Sequence, residues 1–245
     1  MMEDLIIVEH LSKSYGDLKA VDDLSFSVKK GSVFGLLGAN GAGKSTTIEC
    51  ILGTKKAGSG AVSVLGMNPL THRKELFDKV GVQFQEAQYQ ENIKVGELCE
   101  VTASFYKNPA DLEQLLMDFG IADKRGAFVK ELSGGQKQRL FIVLSLIPKP
   151  KVVFLDELTT GLDARARHDV WQILKRLKGE GLTILMTSHF MDEVEILCDV
   201  ICILKKGKPV FHGTVAEAIH QSPYNKFEDA YLWFSDERSE DNESL

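Results

Sequence analysis

Apolar residues in this chain come in two textures: short β-branched runs, and stretches with apolar positions three or four residues apart. The runs Leu5-Ile6-Ile7-Val8 and Leu24-Ser25-Phe26-Ser27-Val28 predict two strands joined through a polar turn that contains Tyr15-Gly16-Asp17. Val33-Phe34-Gly35-Leu36-Leu37 predicts a buried strand, and residues 45–52, free of proline and glycine, predict a helix after it. Gly58-Ser59-Gly60 then punctuates the chain before a strand at 61–66. Residues 70–79 read as a short charged helix, and 80–85 as a strand ending at Gln85.

Between about 86 and 130 the strand texture stops. Leu112, Leu115, Leu116 and Phe119 fall at helical spacing and end at Gly120, which predicts a helical insert. With the helix predicted at 134–147, this helical subdomain runs over about 86–150. Strand texture returns at 152–155, 182–187 and 200–204, alternating with helices at about 134–147, 164–178 and 190–197. Such alternation predicts a parallel sheet covered on both faces. Helices at 214–220 and 227–234 follow. The expected fold is α/β, with an N-terminal antiparallel β subdomain, a mainly parallel sheet core covered by helices, and the helical insert. Residues 1–234 form a single domain in this reading, without internal repeats. Residues 235–245 form an acidic tail expected to be disordered and solvated.

The chemistry starts at Gly38-Ala39-Asn40-Gly41-Ala42-Gly43-Lys44-Ser45-Thr46, which fits the phosphate-loop pattern G-x-x-x-x-G-K-[ST]. That pattern arises by chance in on the order of 1% of chains this long, and its strand and helix flanks make chance rarer still. Glycines 38, 41 and 43 let backbone N–H groups point inward at phosphate oxygens, and the helix N-terminus adds its positive dipole end. Lys44 can reach the β- and γ-phosphates, and the Ser45 hydroxyl can ligate Mg²⁺. A nucleoside triphosphate and Mg²⁺ are therefore the expected ligands, bound by Gly38, Asn40, Gly41, Gly43, Lys44, Ser45 and Thr46.

A second device follows at Val152-Val153-Phe154-Leu155-Asp156-Glu157, a buried strand ending in two carboxylates. Asp156 suits the Mg²⁺ role and Glu157 the activation of water. A third is Leu132-Ser133-Gly134-Gly135-Gln136, where a good N-cap precedes two glycines that leave N–H groups bare at a helix start. One nucleotide carries one set of phosphates, already cradled by residues 38–45. The economical reading is that residues 133–135 hold the γ-phosphate of another chain's nucleotide, two chains sandwiching two ATP molecules head to tail.

Composition narrows the setting. The chain has 245 residues, 44% hydrophobic and 26% charged, and a net charge of −6, which argues against a general nucleic-acid binder. Its four cysteines show no C-x-x-C pair and are expected as buried free thiols. There is no signal-peptide pattern, and no apolar run nears the roughly 18 residues of a membrane span. The expectation is a soluble intracellular protein whose membrane role, if any, comes through a partner.

Leu132-Ser133-Gly134-Gly135-Gln136 resembles the signature of the ATP-binding cassette (ABC) ATPases, P-loop NTPases, and the other motifs fall in that family's order from about Leu5 to Phe234. The resemblance implies that Tyr15 stacks on adenine and that Gln85 senses Mg²⁺ and the attacking water. It further implies that Thr160-Gly161-Leu162-Asp163 crosses the dimer interface and that His189 contacts the γ-phosphate. Taken singly, each of these residues would read as an ordinary turn, loop or surface residue. The implied cofactor-binding set thus adds Tyr15, Ser133, Gly135, Gln136 and Asp163. The implied catalytic set is Glu157, His189, Lys44 and Gln85, and the metal set Ser45, Gln85 and Asp156.

Leu158, where most of the family has Pro, is similar to the branch that powers ABC-2-type exporters of drugs, peptides or polysaccharides, as are residues 188–199 and 227–232. The implied partners are an integral-membrane permease of that type and a second ATPase subunit, as a homodimer. The expected location is the cytoplasmic face of the membrane. Phe84, Lys94 and Gly96 depart from the family pattern where the permease is received. The alternatives are an importer ATPase, or a soluble ABC ATPase of translation or DNA repair; the latter carry two cassettes or a long coiled coil, which this chain lacks.

Overall fold

The computed structural model describes residues 3–83, 92–157 and 159–235. Two sheets lie back to back. The first is an antiparallel ribbon of β1 (Asp4–Tyr15), β2 (Leu18–Lys29) and β4 (Ser59–Val64), in the order β2-β1-β4. The second contains β3 (Val33–Gly38), β5 (Val80–Gln83), β6 (Val152–Leu155), β7 (Thr183–Met186), β8 (Val200–Lys205) and β9 (Lys208–Gly213). Its order is β5-β6-β7-β3-β8-β9, parallel throughout except for the antiparallel edge strand β9.

Side-chain alternation along these strands divides the core in two. Val153, Leu155, Ile184 and Met186 face a helical layer, together with Leu116, Phe119, Leu140 and Trp171. Val152, Phe154 and Leu185 face the other way, packing with Ile6, Val8 and Val28 of the first sheet and with Ile48 and Ile51 of α1 (Lys44–Ile51). Both faces of β6 and β7 are covered, which is why those strands read as unbroken apolar runs. α2 (Arg73–Phe77) is shorter than the helix expected over 70–79, because Asn68 first closes a turn through Thr71 N–H and His72 N–H.

The insert holds α3 (Val95–Ser104) and α4 (Leu112–Asp118). Asp111 caps α4 by accepting from the N–H groups of Glu113 and Gln114, and Gly120 ends that turn at φ +63°. α5 (Gly134–Leu146) and α6 (Ala164–Gly179) pack beneath the sheet. An Arg176–Asp118 ion pair at 2.8 Å ties α6 to α4. α7 (Met191–Leu197), α8 (Val215–Gln221) and α9 (Phe227–Ser235) close a third cluster over β8 and β9.

The structure corrects the sequence reading at the β1–β2 hairpin and at β9. β1 and β2 are each 12 residues long, far beyond the apolar runs 5–8 and 24–28, because a two-residue turn at Gly16-Asp17 pairs Tyr15 with Leu18. Positive φ at His10 (51°) lies within a register shift, so strict alternation fails there and hides the strand's continuation. β9 was not expected at all. Its sequence is charged and holds Pro209, tolerable only at a sheet edge. Lys206 and Gly207 both have positive φ and form the tight hairpin that turns it back on β8. The expected strand end at Gln85, with Phe84 beside it, lies outside the described residues, as do Leu158 and the acidic tail from 236.

All four cysteines are free. Burial pushes the Cys99 thiol up to about 11 and Cys202 up to about 12, so neither is a ready nucleophile at neutral pH.

Candidate active site

At the C-terminal edge of the parallel sheet, β3 runs through the glycine loop into α1. The loop's backbone explains its sequence. Gly38 stands at φ +148°, and a Cβ there would lie 2.5 Å from the Leu204 carbonyl oxygen. Gly43 stands at φ +104°, with the Ala20 carbonyl oxygen even closer to where a Cβ would be. Any larger residue at either position would have to move backbone. Gly43 is also the N-cap of α1 and offers no side chain, so the helix start stays open for an anion.

Lys44 folds back over this loop. Its Nζ donates to the carbonyls of Gly38 (2.7 Å) and Ala39 (3.2 Å), and the residue is 95% buried by its 5% exposure. Burial pulls its pKa below the ordinary lysine value, while the charges of Glu157 and Asp156 favour the protonated form. Ser45 Oγ stands 3.4 Å from Asp156 Oδ2. A hydroxyl and a carboxylate beside a phosphate loop form a hard oxygen donor set suited to Mg²⁺, which binds through few protein ligands plus substrate phosphates. Among the described residues no cluster of three or more His, Cys, Asp or Glu could hold a metal by itself. Gln85 lies outside the described residues.

Beyond β6, Glu157 sits at φ +52°, a left-handed conformation that costs a non-glycine residue about 1–3 kcal/mol. Its Oε1 lies 2.6 Å from His189 Nε2, and its side chain is only 9% exposed. Thr187 holds this turn. Its hydroxyl donates to Asp156 Oδ1 (2.5 Å) and accepts from the Glu157 N–H (2.9 Å), and the residue is fully buried. Sequence reasoning missed Thr187. The signal was the parallel register, in which Leu155 pairs with Met186 and so sets Thr187 beside Asp156. Thr187→Val keeps the shape but strips both partners of their bond. A loss of about 1–3 kcal/mol is expected, read as a lower unfolding midpoint in urea, with impaired Mg²⁺-dependent turnover.

A cleft of about 400 Å³ gathers Tyr15, Leu18, Ala20, Asn40, Gly41, Gly43, Lys44, Ser45, Thr46 and Glu157. Tyr15 is 42% exposed and carries the ammonium groups of Lys13 and Lys55 within 5.4 Å of its ring centre. A larger cleft of about 530 Å³ opens at the opposite edge of the sheet, among Lys79, Lys151 and Leu182. It has neither glycine loop nor paired carboxylates, so the nucleotide chemistry belongs to the smaller one.

Ser133, Gly135, Gln136 and Asp163 do not line that cleft. Ser133 is exposed and caps α5, accepting from the Gln136 N–H while Gln136 Oε1 accepts from the Ser133 N–H. Accepting leaves the Ser133 hydroxyl proton free to be donated outward. Asp163 accepts from the Ala166 N–H at 2.8 Å as the N-cap of α6. Residues 134 and 135 lie against the loop before α6: a Cβ on Gly135 would stand 3.3 Å from Leu162 Cδ2.

Comparison with known proteins agrees with this geometry. The sequence profile of the ABC transporter family matches residues 21–160. The Nod factor export ATP-binding protein I of Ralstonia nicotianae is 39% identical over 220 residues, covering 88% of this chain and 68% of that protein. Its counterpart in Rhizobium meliloti is 41% identical over 214 residues, covering 85% of this chain and 64% of that protein. The chain thus spans about two thirds of the length of these relatives. A solved ATP-binding subunit of an ABC transporter superposes with a TM-score of 0.86 at 27% identity, covering 94% of this chain and 99% of that one.

Proposed function

The chain belongs to the ABC transporter family as one of its ATP-hydrolysing subunits, and we propose that it powers export through a separate membrane permease. One observation carries this reading. Lys44, Ser45, Asp156, Glu157 and His189 converge on one cleft edge, while the second anion-type helix start at Ser133 is exposed and does not line that cleft. A hydrolytic cleft that lacks a cap over the terminal phosphate, on a chain with such a cap exposed elsewhere, calls for a second copy.

In this reading the open start of α1 and the Lys44 ammonium hold the triphosphate, and Tyr15 receives the adenine. Ser45 and Asp156, with Gln85, would hold Mg²⁺, which would supply positive charge to offset that of the phosphates. Glu157 polarises the attacking water, and His189 orients Glu157 and reaches the γ-phosphate. Residues 133–135 of the other copy complete the shell around that phosphate. The work is positioning and electrostatic stabilisation. ATP drives closure only to the extent that it binds the closed pair more tightly than the open one.

Export rather than import is supported by the names of the relatives at 39% and 41% identity. The cargo class stays at drugs, peptides, polysaccharides or similar molecules, Nod factor being the relatives' own. Among the described residues no helix is long and apolar enough to cross a membrane. On the insert, Val101 (49% exposed) and Phe105 (75% exposed) stand four residues apart and are the apolar contacts we assign to the permease. This would hold the subunit at the cytoplasmic face of the membrane. The test is to purify tagged Glu157→Gln from detergent-solubilised membranes of its native host with ATP·Mg²⁺. A polytopic protein at near-equal stoichiometry is expected. Ribosomes, nucleic acid or no membrane protein at all would overturn the proposal.

A further inference from the structure

Glu193 on α7 is a carboxylate with no exposed surface. It lies outside the nucleotide cleft, and the reaction described above does not use it. Burying a carboxylate costs several kcal/mol unless donors replace its water. Three donors do so here, each from a different segment. Trp171 Nε1 of α6 donates to Oε1 at 3.0 Å, Thr159 Oγ1 donates to Oε2 at 3.2 Å, and Ser188 Oγ makes a short bond to Oε2. All three donor residues are buried themselves.

The three segments matter for their neighbours. Thr159 opens loop 159–163, which follows Glu157 and ends at Asp163, the cap of α6. Gly161 and Leu162 of that loop lie against Gly134 and Gly135. Ser188 precedes His189, whose ring pairs with Glu157. Arg167 of α6 grips the same turn, its guanidinium 4.5 Å over the Phe190 ring and 3.7 Å from Asp192. An apolar side chain of similar volume would fill the space of Glu193 more cheaply. It would not dictate directions to three donors at once.

We propose that Glu193 is a positioning residue for ATP hydrolysis: its carboxylate locks the His189 turn and loop 159–163 into one register, so that the Glu157–His189 pair is set together with the segment that meets the second copy. Displacing that pair by an ångström costs turnover, because the attacking water is no longer aligned, while the phosphate loop that binds ATP is untouched. The inference rests on the hydrolytic reading of Glu157 and His189.

The experiment uses the full chain with Glu193→Gln, Trp171→Phe and Thr159→Val. Turnover at saturating ATP is divided by the amount of ATP bound at equilibrium, so that unfolded protein does not count. Glu193→Gln should lose roughly 10- to 100-fold in turnover per bound ATP, with KM within about 2-fold of the parent. The two single-donor variants should lose less, in the same kcat-only manner. If Glu193→Gln does not fold, the donor variants decide alone. Parent-level turnover per bound ATP in every folded variant would overturn the proposal, as would losses that appear equally in ATP binding. A parent chain that binds ATP without hydrolysing it would instead remove the hydrolytic reading itself.

Discussion

Glu157→Gln should lower steady-state ATP hydrolysis by roughly 100- to 1000-fold and leave ATP·Mg²⁺ binding intact. The amide keeps the size of the carboxylate, and the φ +52° turn is held through backbone, by the bond from the Glu157 N–H to Thr187 Oγ1. The cleft therefore keeps its shape. What disappears is the negative oxygen 2.6 Å from His189 Nε2, the group able to polarise water there. Phosphate release assays and equilibrium binding of a fluorescent ATP analogue separate the two effects. Hydrolysis at the parent rate would remove Glu157 from its role.

Lys44→Ala has the second large effect, and it falls on binding. Lys44 is 5% exposed as a residue, and its ammonium donates to the Gly38 and Ala39 carbonyls. Little water solvates it, so its attraction to a triphosphate is weakly screened. Charge-assisted hydrogen bonds contribute about 1.5–3 kcal/mol each, so losing one bond weakens ATP binding by about 10- to 150-fold. The calorimetric Kd should rise by at least that factor, and stabilisation against heat by ATP should vanish at concentrations that protect the parent. A variant that binds ATP as the parent does would show that the loop backbone alone holds the phosphates. The two substitutions thus divide the site: Lys44 for capture, Glu157 for turnover.

Much of this site was legible from residue order. The phosphate loop, the paired carboxylates after Leu155 and the glycine-rich helix start each carry their own local geometry, and local geometry is written in sequence. The buried strands β6 and β7 were legible for a similar reason, since both faces are covered and the runs are apolar throughout. What escaped depends on pairing across the sheet. Thr187 matters because β7 lies beside β6 in a particular register, and nothing within a residue or two of Thr187 announces that. β9 escaped because an edge strand has one exposed face and an unpaired side, so Lys208 and Pro209 are tolerated there. Glu193 would ordinarily read as an exposed helix carboxylate; only packing against Trp171, Thr159 and Ser188 makes it interior. Asp163 carries an interface role by family resemblance, and within the single chain its carboxylate caps α6.

The central claim is that one chain's cleft is completed by residues 133–135 of another. Sedimentation velocity of Glu157→Gln, with and without ATP·Mg²⁺, tests it most directly. The account predicts a monomer without nucleotide and a dimer with it, and reversion to monomer when Ser133→Arg is added to block the phosphate cap. A monomer in both conditions, at nucleotide concentrations that saturate the site, would contradict it.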